Sequence, residues 1–211
     1  MIHPHSELRF ISDEVGYGVF ATRPIPKGTI TWVLDELDRE FTPEEIAELS
    51  APYQEILEKY CYRNSKGNSI LCWDLGRFVN HSFDSNCLAT AYGFEIAVRD
   101  IEPGEELTDD YGYLNITEPF RGIEEGTRRK IVYPDDLVRY HKVWDKQVQS
   151  AIKHTLGVDQ PLKQIIEPGL WKTITRLAEG KEPMRSIYEI YYDPAKNGSQ
   201  RNGVMAKAAQ G

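Results

Sequence analysis

The first 120 residues consist of short apolar runs with turn residues between them. Short runs with β-branched and aromatic side chains, bounded by glycine and proline, are typical of β-strands. The segments that follow this pattern are Ser6–Ile11, Gly18–Thr22, Thr29–Leu34, Ser69–Trp73, Leu88–Ala91, Glu95–Val98 and Leu107–Tyr111. Turns such as Pro26-Lys27-Gly28 and Pro103-Gly104-Glu105 interrupt them. The pattern predicts a mostly β domain over residues 1–120.

One stretch inside this domain has a helical period. Thr42 is followed by Pro43 and then by Glu45, which is the pattern of a capped helix N-terminus. Apolar side chains then recur at helical spacing, at Ile46, Leu49, Tyr53, Ile56, Leu57 and Tyr60. We therefore expect one amphipathic helix, Pro43–Lys59, inserted among the strands.

The pattern changes after Phe120. Residues 121–133 are charged and irregular, as in a linker, and residues 134–192 return to helical spacing. A first helix is marked by Leu137, Tyr140, Val143, Trp144, Val148 and Ile152, and further helices are expected at Leu170–Ala178 and Met184–Tyr191. We expect an α-helical C-terminal extension, followed by a disordered tail over residues 193–211.

The composition of the 211 residues, with 40% hydrophobic and 27% charged side chains, is that of an ordinary globular protein. The formal net charge of −8 argues against direct binding of nucleic acid and favours a basic partner, although mild acidity also serves solubility alone. No apolar run reaches membrane-spanning length, and the N-terminus lacks the pattern of a secretory signal. The three cysteines, Cys61, Cys72 and Cys87, indicate a reducing, cytoplasmic location.

Three polar or glycine-rich segments could carry chemistry. Gly16-Tyr17-Gly18 lets a backbone approach a flat ligand, but two glycines also serve an ordinary turn. Asn80-His81-Ser82 follows an apolar pair and must find hydrogen-bond partners, which a well-satisfied loop would also provide. Glu106–Tyr113 places acidic residues between tyrosines, as a half-buried strand would. None of the three is decisive alone.

Their order and spacing are more informative. Gly16-Tyr17-Gly18, then RFVNHSFDSNC over Arg77–Cys87, then ELTDDYGY over Glu106–Tyr113 resemble the signature of the SET-domain protein lysine methyltransferases. The resemblance covers Ser6–Tyr113. It implies a β-clip fold in which the last two motifs lie side by side in a threaded pseudoknot, which would bring Asn80-His81 next to Tyr111.

The resemblance also implies a site. Residues that match the family's S-adenosylmethionine pocket are Gly16, Tyr17, Gly18, Tyr60, Arg77, Asn80 and His81. Tyr111 matches the catalytic tyrosine, and the substrate-channel positions are Tyr62, Asp109 and Tyr113. The implied reaction transfers a methyl group directly to a lysine of a protein and leaves S-adenosylhomocysteine.

The chemistry of this reaction explains the residue types. Lysine has a pKa of about 10.4, so supplying its neutral amine at pH 7 costs about 4.6 kcal/mol. A desolvated channel with aromatic walls disfavours the ammonium and lowers that cost. The hydroxyl of Tyr111 can hold the amine so that its lone pair faces the methyl group. Tyr111 need not act as a base, because its reference pKa of about 10 is no lower than that of lysine.

Two residues depart from the family pattern. Phe83 stands where many members supply a zinc ligand, and no Cys-x-Cys run follows Tyr113. The resemblance is therefore to a compact, zinc-free, bacterial-type member without the cysteine-rich post-SET module, and the helices after Pro134 become candidates to close the channel. Asp109 stands where the family often has Phe or Tyr, which leaves the number of methyl groups added undecided.

Three functions stay open from the sequence. The first is a methyltransferase acting on a lysine of a basic, histone-like or other protein, with no metal, no membrane and no nucleic acid involved. The second is a non-catalytic module that keeps the SET fold for protein interaction, which Asp109 and the missing zinc ligands favour. The third is a structural protein that assembles through its C-terminal helices. The oligomeric state is not indicated.

Overall fold

The computed structural model describes residues 1–195. Within them the chain forms the strands β1 (Ser6–Ser12), β2 (Gly16–Ala21), β3 (Ile30–Val33), β4 (Arg39–Phe41), β5 (Cys61–Arg63), β6 (Ser69–Leu71), β7 (Asn80–His81), β8 (Cys87–Ala89), β9 (Phe94–Ala97), β10 (Glu106–Asp109), β11 (Phe120–Arg121) and β12 (Ile131–Val132). The α-helices are α1 (Pro43–Glu48), α2 (Ala51–Tyr60), α3 (Asp136–Ile152) and α4 (Pro168–Ala178). Short 3-10 turns lie at Leu75–Phe78, Tyr111–Tyr113, Thr155–Gly157, Pro161–Ile165 and Ile187–Ile190. The fold class is confirmed: small β-sheets come first and a helical extension follows.

The strands form several small sheets. The orders are β1-β2-β10-β7, β3-β9-β8 and β4-β6-β5, with β11 and β12 as a separate hairpin. The β8–β9 hairpin turns at Gly93, whose φ of +76° lies in the left-handed region that favours glycine. In the described part of the chain no helix is long and apolar enough to cross a membrane.

The two sequence motifs meet where β7 and β10 pair in parallel. Thr108 lies opposite Asn80, and Asp109 lies opposite His81. The pairing continues past β7, because the N–H of Ser82 donates to the carbonyl of Asp109 at 2.9 Å. The predicted placement of the second and third motifs side by side is confirmed.

The C-terminal helices share one hydrophobic core with the sheet β3-β9-β8. Ile30, Leu88 and Phe94 of the sheet are buried together with Trp144 of α3 and Ile174 of α4. Burying each such side chain contributes about 1.5–3 kcal/mol. Residues 134–192 are therefore packed against the β domain, and the predicted linker ends in paired strands, with Phe120 opposite Val132.

The prediction of one inserted helix, Pro43–Lys59, is wrong in one respect, because the structure contains two helices there. The first is capped as expected: the N–H of Glu45 donates to the Thr42 hydroxyl at 3.1 Å, and the N–H of Thr42 donates to the Glu45 carboxylate at 2.7 Å. The chain becomes extended at Leu49, and α2 then begins with Pro52 in its first turn. A continuous helix would place the ring of Pro52 against the carbonyl of Glu48.

The prediction of a helix at Met184–Tyr191 is also wrong, because only the 3-10 turn Ile187–Ile190 forms there. The carboxylate of Asp145 accepts the Ser186 hydroxyl at 2.6 Å and the N–H of Ile187 at 2.8 Å. This contact to α3 satisfies the turn's polar groups without a longer helix. The disorder predicted for the tail falls, from residue 196 onward, outside the described residues.

Candidate active site

A cavity of about 630 Å³ opens beside the β7–β10 crossing. Five of the residues predicted to form the site line it, namely Tyr60, Tyr62, Arg77, Asp109 and Tyr111. Its volume is in the range of about 300–1,000 Å³ found for small-molecule sites. The structure therefore brings two of the predicted cofactor residues together with the predicted catalytic tyrosine and two of the channel residues.

Tyr111 is held at both ends. Its hydroxyl donates to the carbonyl of Val79 at 2.7 Å, and its backbone N–H donates to Nδ1 of His81 at 3.2 Å. The turn that carries it is capped by Asp110, whose carboxylate accepts the N–H of Gly112 at 3.0 Å. Burial raises the pKa of the phenol well above its usual value, so the hydroxyl stays protonated. Its oxygen lone pairs remain able to accept an N–H from a ligand.

His81 orients the backbone of Tyr111. Burial lowers the pKa of the imidazole to about 4, so the ring is neutral at physiological pH. Because Nδ1 accepts from Tyr111, the proton lies on Nε2, which is buried without a hydrogen-bond partner within residues 1–195. The ring packs edge-on against Phe83 and Phe120, with centroids 4.4 and 5.4 Å away.

Asn80 connects the second motif to the glycine segment. Its amide donates to the carbonyl of Tyr17 at 3.0 Å and to the carboxylate of Glu106 at 2.7 Å. A Cβ added to Gly18 would meet the ends of the Glu106, Ile11 and Asn80 side chains, which would have to shift to make room for it. Gly16 has a φ of +82°, which also favours glycine.

The predicted cofactor residues are thus not all in one cavity. Asn80 and His81 line a second cavity of about 400 Å³. The glycine segment lines neither cavity, although the ring of Tyr17 is half exposed beside the first. A row of edge-on rings joins the regions, since Phe78 lies 6.4 Å from Tyr17 and 5.4 Å from Tyr60.

Tyr113 lies away from the cavity. Its side chain is fully buried and packs edge-on against Trp144, with ring centroids 5.5 Å apart. The prediction that it is a channel residue is therefore not matched by the cavity lining. Tyr111 and Tyr113 are two residues apart on a tight turn, so their side chains point to opposite sides.

Two further residues of the cavity were not predicted as site residues. Trp32 of β3 and Glu95 of β9 face each other in the sheet register, and both line the cavity. Tyr62 packs edge-on against Trp32 at 6.1 Å. The signal for Glu95 was present in the sequence, because it is the one charged residue in the otherwise apolar run Phe94–Val98.

Arg129 was also missed, because it lies in the segment predicted as a linker. Its guanidinium contacts the buried carboxylates of Asp110 and Asp136, the latter at 2.6 Å. It also lies over the rings of Tyr140 and Phe83, at 4.5 and 4.9 Å from the centroids. These contacts fasten the residues after β11 to the turn of Tyr111.

The segment Leu114–Phe120 lines one wall of the cavity, and the helices after Pro134 do not line it. The ring of Phe120 lies 6.1 Å from that of Tyr111. Within residues 1–195 the structure contains no group of three or more histidine, cysteine or acidic side chains that could hold a metal ion. Cys61, Cys72 and Cys87 are free thiols.

Comparison with known proteins identifies the fold around this site. The sequence profile of the SET domain matches residues 16–112, which include β2, the motif Arg77–Cys87 and the third motif as far as Gly112, with Tyr111. Residues 16–112 therefore form a SET domain.

Its curated relatives are named as lysine methyltransferases. The chain is 33% identical over 116 residues to "Histone-lysine N-methyltransferase ash1" of Drosophila melanogaster, a match that covers 50% of this chain and 5% of that protein. It is 32% identical over 123 residues to "N-lysine methyltransferase KMT5A-A" of Danio rerio, which covers 50% of this chain and 34% of that protein. The chain therefore spans well under half the length of either relative.

A solved structure of a candidate histone methyltransferase from Plasmodium falciparum also matches. The identity is 19%, and the match covers 60% of this chain and 100% of that chain. The TM-score of this match is 0.38.

Proposed function

We propose that this protein is an S-adenosylmethionine-dependent protein lysine N-methyltransferase in which Tyr111 is the catalytic tyrosine. The observation that carries the proposal is the fixed hydroxyl of Tyr111, bonded to the carbonyl of Val79 at 2.7 Å inside a cavity of a SET domain. The two curated relatives, both named lysine methyltransferases, support the same reading.

The residues of the cavity fit S-adenosylmethionine. Arg77 bonds the carbonyls of Cys72 and Trp73 through Nη1, so its other N–H groups can meet a carboxylate. The ring of Tyr60 offers an apolar face, and the carboxyls of Glu95 and Asp109 suit a cationic centre. When bound, this cofactor supplies an electrophilic methyl group on a sulfonium. A metal is not needed for this chemistry.

The chain's own residues would then prepare the lysine amine. Trp32, Tyr62 and Tyr111 line the cavity with aromatic rings, and desolvation there disfavours the ammonium form. The oxygen of Tyr111 accepts one N–H of the amine, because its own proton is engaged with Val79. This contact fixes the direction of the nitrogen lone pair, which is a contribution from positioning.

The substrate we propose is a lysine on a basic protein, histone-like or otherwise. The net charge of −8 favours a basic partner, and Glu58 and Glu118 stand at the wall of the cavity. The three free thiols suit a reducing compartment such as the cytoplasm. The same net charge gives no reason to expect nucleic-acid binding.

The test is methyl transfer from labelled S-adenosylmethionine to core histones and to a lysate of basic proteins. We expect wild-type protein to label lysine and Tyr111→Phe to lose at least about 100-fold in rate. Tyr53→Phe is the matched control, because Tyr53 is exposed on α2. Unchanged activity of Tyr111→Phe would remove that residue from the mechanism.

A second function is a SET-fold interaction module without catalysis. The buried carboxyl of Asp109 in the cavity favours it, because a charged side chain there alters a channel that must desolvate an ammonium. A ligand that binds only the folded state raises the melting temperature. No thermal shift with excess S-adenosylmethionine would favour this second function over the enzyme.

A further inference from the structure

Two carboxyl groups lie side by side in the cavity that holds Tyr111. Glu95 comes from the middle of β9 and Asp109 from the end of β10, and both line the 630 Å³ cavity. Asp109 is only 5% exposed. The role proposed for Tyr111 uses neither carboxyl, and their suitability for a cationic centre leaves open whether they also take part in proton transfer.

A buried donor without a partner accompanies the pair. Nε1 of Trp32 has no hydrogen-bond partner in the part of the chain that the structure describes, whereas the Asp109 carboxyl faces the Glu95 carboxyl and the Tyr113 hydroxyl. Trp32 is 7% exposed and lines the same cavity. Buried polar atoms without partners are costly, so their presence in a cavity points to a polar ligand. An amine could donate to Asp109.

Among residues 1–195 no lysine, arginine or histidine forms a salt bridge with the pair, and the nearest cation that acts on it is the amino group of Met1. The titratable groups that face it are Tyr62, Tyr111, Tyr113, Cys72, Cys87, Asp110 and the amino group of Met1. Burial raises the pKa of both the Glu95 carboxyl and the Asp109 carboxyl. Two carboxyls this close do not both ionise readily, so they share a proton and take up a second one at a raised pH.

We propose that the Glu95–Asp109 pair is a general base built into the substrate cavity, which accepts the proton that the target ammonium must lose. The inference rests on the proposed function and deepens it. It assigns a role to Glu95 and to the aspartate that replaces an aromatic residue of the family.

The proton transfer is balanced within the cavity. An N–H bond of the ammonium breaks, its electron pair stays on nitrogen, and an O–H bond forms on the ionised carboxyl of the pair. The substrate changes from a cation to a neutral amine, while the pair changes from one negative charge to none. Both partners thus lose charge in a desolvated site, which favours the exchange. The proton later leaves to solvent through the opening of the cavity.

The pH profile of methylation tests the role. Wild-type activity should be level above the pKa of the pair and fall below it, because a doubly protonated pair cannot accept a proton. Asp109→Asn keeps the side chain's size and removes the acceptor. Its rate should be about 100-fold lower at pH 7 and should rise about tenfold per pH unit toward pH 9, as the free amine becomes available. Glu36→Gln is the control, since Glu36 is exposed.

A measurement without turnover checks the protonation itself. Infrared difference spectra should contain a protonated carboxyl signal at pH 7 in the wild type, and this signal should change in Glu95→Gln, disappear when Glu95→Gln and Asp109→Asn are combined, and persist in Glu36→Gln. Absence of that signal from folded wild-type protein overturns the inference. An active Asp109→Asn variant with the wild-type pH profile also overturns the inference. That result would leave the proposed function intact. A wild type without methyl transfer to any substrate would instead sink the proposed function, and this inference with it.

Discussion

The cavity and the helix–sheet core lie on opposite sides of the turn Tyr111–Tyr113. On the core side, Tyr113 packs against Trp144 among the buried side chains of α3, α4 and the sheet β3-β9-β8. On the cavity side, Nε1 of Trp32 is buried without a partner in residues 1–195, and the carboxyls of Glu95 and Asp109 are buried beside each other. The stability of the folded chain therefore comes mainly from the core, and the core supports a neighbouring site whose polar groups are free to bind a ligand.

The largest expected effect breaks the core side. Trp144→Ala removes an aromatic ring that is 4% exposed, and should lower the free energy of unfolding by about 3–5 kcal/mol. Urea unfolding measures the loss, with Trp73→Ala as the control because Trp73 is exposed. If the two variants lost equal stability, the shared core of helices and sheet would not be the main source of stability.

The ion pairs of Arg129, which connect the core side to the cavity side, should contribute nearly as much to the free energy of unfolding. Arg129→Leu leaves the carboxylates of Asp110 and Asp136 buried without their cation, at a cost of about 3 kcal/mol or more. Without the guanidinium these carboxyls bind protons more readily, so the deficit should shrink as the pH falls. Arg139→Leu removes an exposed pair with Asp135 and should cost less than about 1 kcal/mol. Urea unfolding at pH 5 and pH 8 distinguishes these outcomes.

A smaller effect, of opposite sign, is expected on the cavity side. Burial raises the pKa of Asp109, so the folded state binds a proton more tightly than the unfolded state, and this group lowers stability as the pH rises. Asp109→Asn should therefore stabilise the protein by about 1 kcal/mol at pH 8, and by less at pH 5. Thermal unfolding at the two pH values measures the difference. Destabilisation at pH 8 would mean that the carboxylate is held by partners in the folded state.

The smallest effect concerns the two tyrosines of the turn. Tyr113→Phe removes a buried hydroxyl that faces the Asp109 carboxyl, so stability should change by about 1 kcal/mol. Methyl transfer should fall much less than in Tyr111→Phe, because Tyr113 does not line the cavity. A Tyr113→Phe variant as inactive as Tyr111→Phe would show that the turn does not separate core from cavity.

The sequence predicted the parts of the site that follow from local order. Asn80-His81 and Tyr111 stand in motifs whose spacing indicated their meeting, and the β7–β10 pairing places them together. The capped start of α1 at Thr42 was equally legible, because a capping box is a local pattern. The break before α2 was missed because the apolar side chains keep a helical spacing through it, although Pro52 argues against a continuous helix.

Contacts between residues far apart in the chain were harder to predict from the sequence. Arg129 appeared as one charge in an irregular stretch, and only the fold brings it to Asp110 and Asp136. Glu95 stood out as a charge in an apolar strand, but its neighbour Asp109 comes from another strand. Tyr113 matched a channel position by sequence, whereas the tightness of the turn directs it into the core. Such outcomes depend on tertiary packing, which local patterns do not contain.

The ion pairs of Arg129 have a consequence for how the molecule opens. Asp110 caps the turn of Tyr111, and Asp136 is the first residue of α3, so one guanidinium joins the catalytic turn to the helices. The turn and α3 should then unfold cooperatively, and the amide of Tyr111 should exchange with solvent no faster than those of α3. A fragment that stops at residue 120 would contain the three sequence motifs and still lack a firmly held catalytic tyrosine.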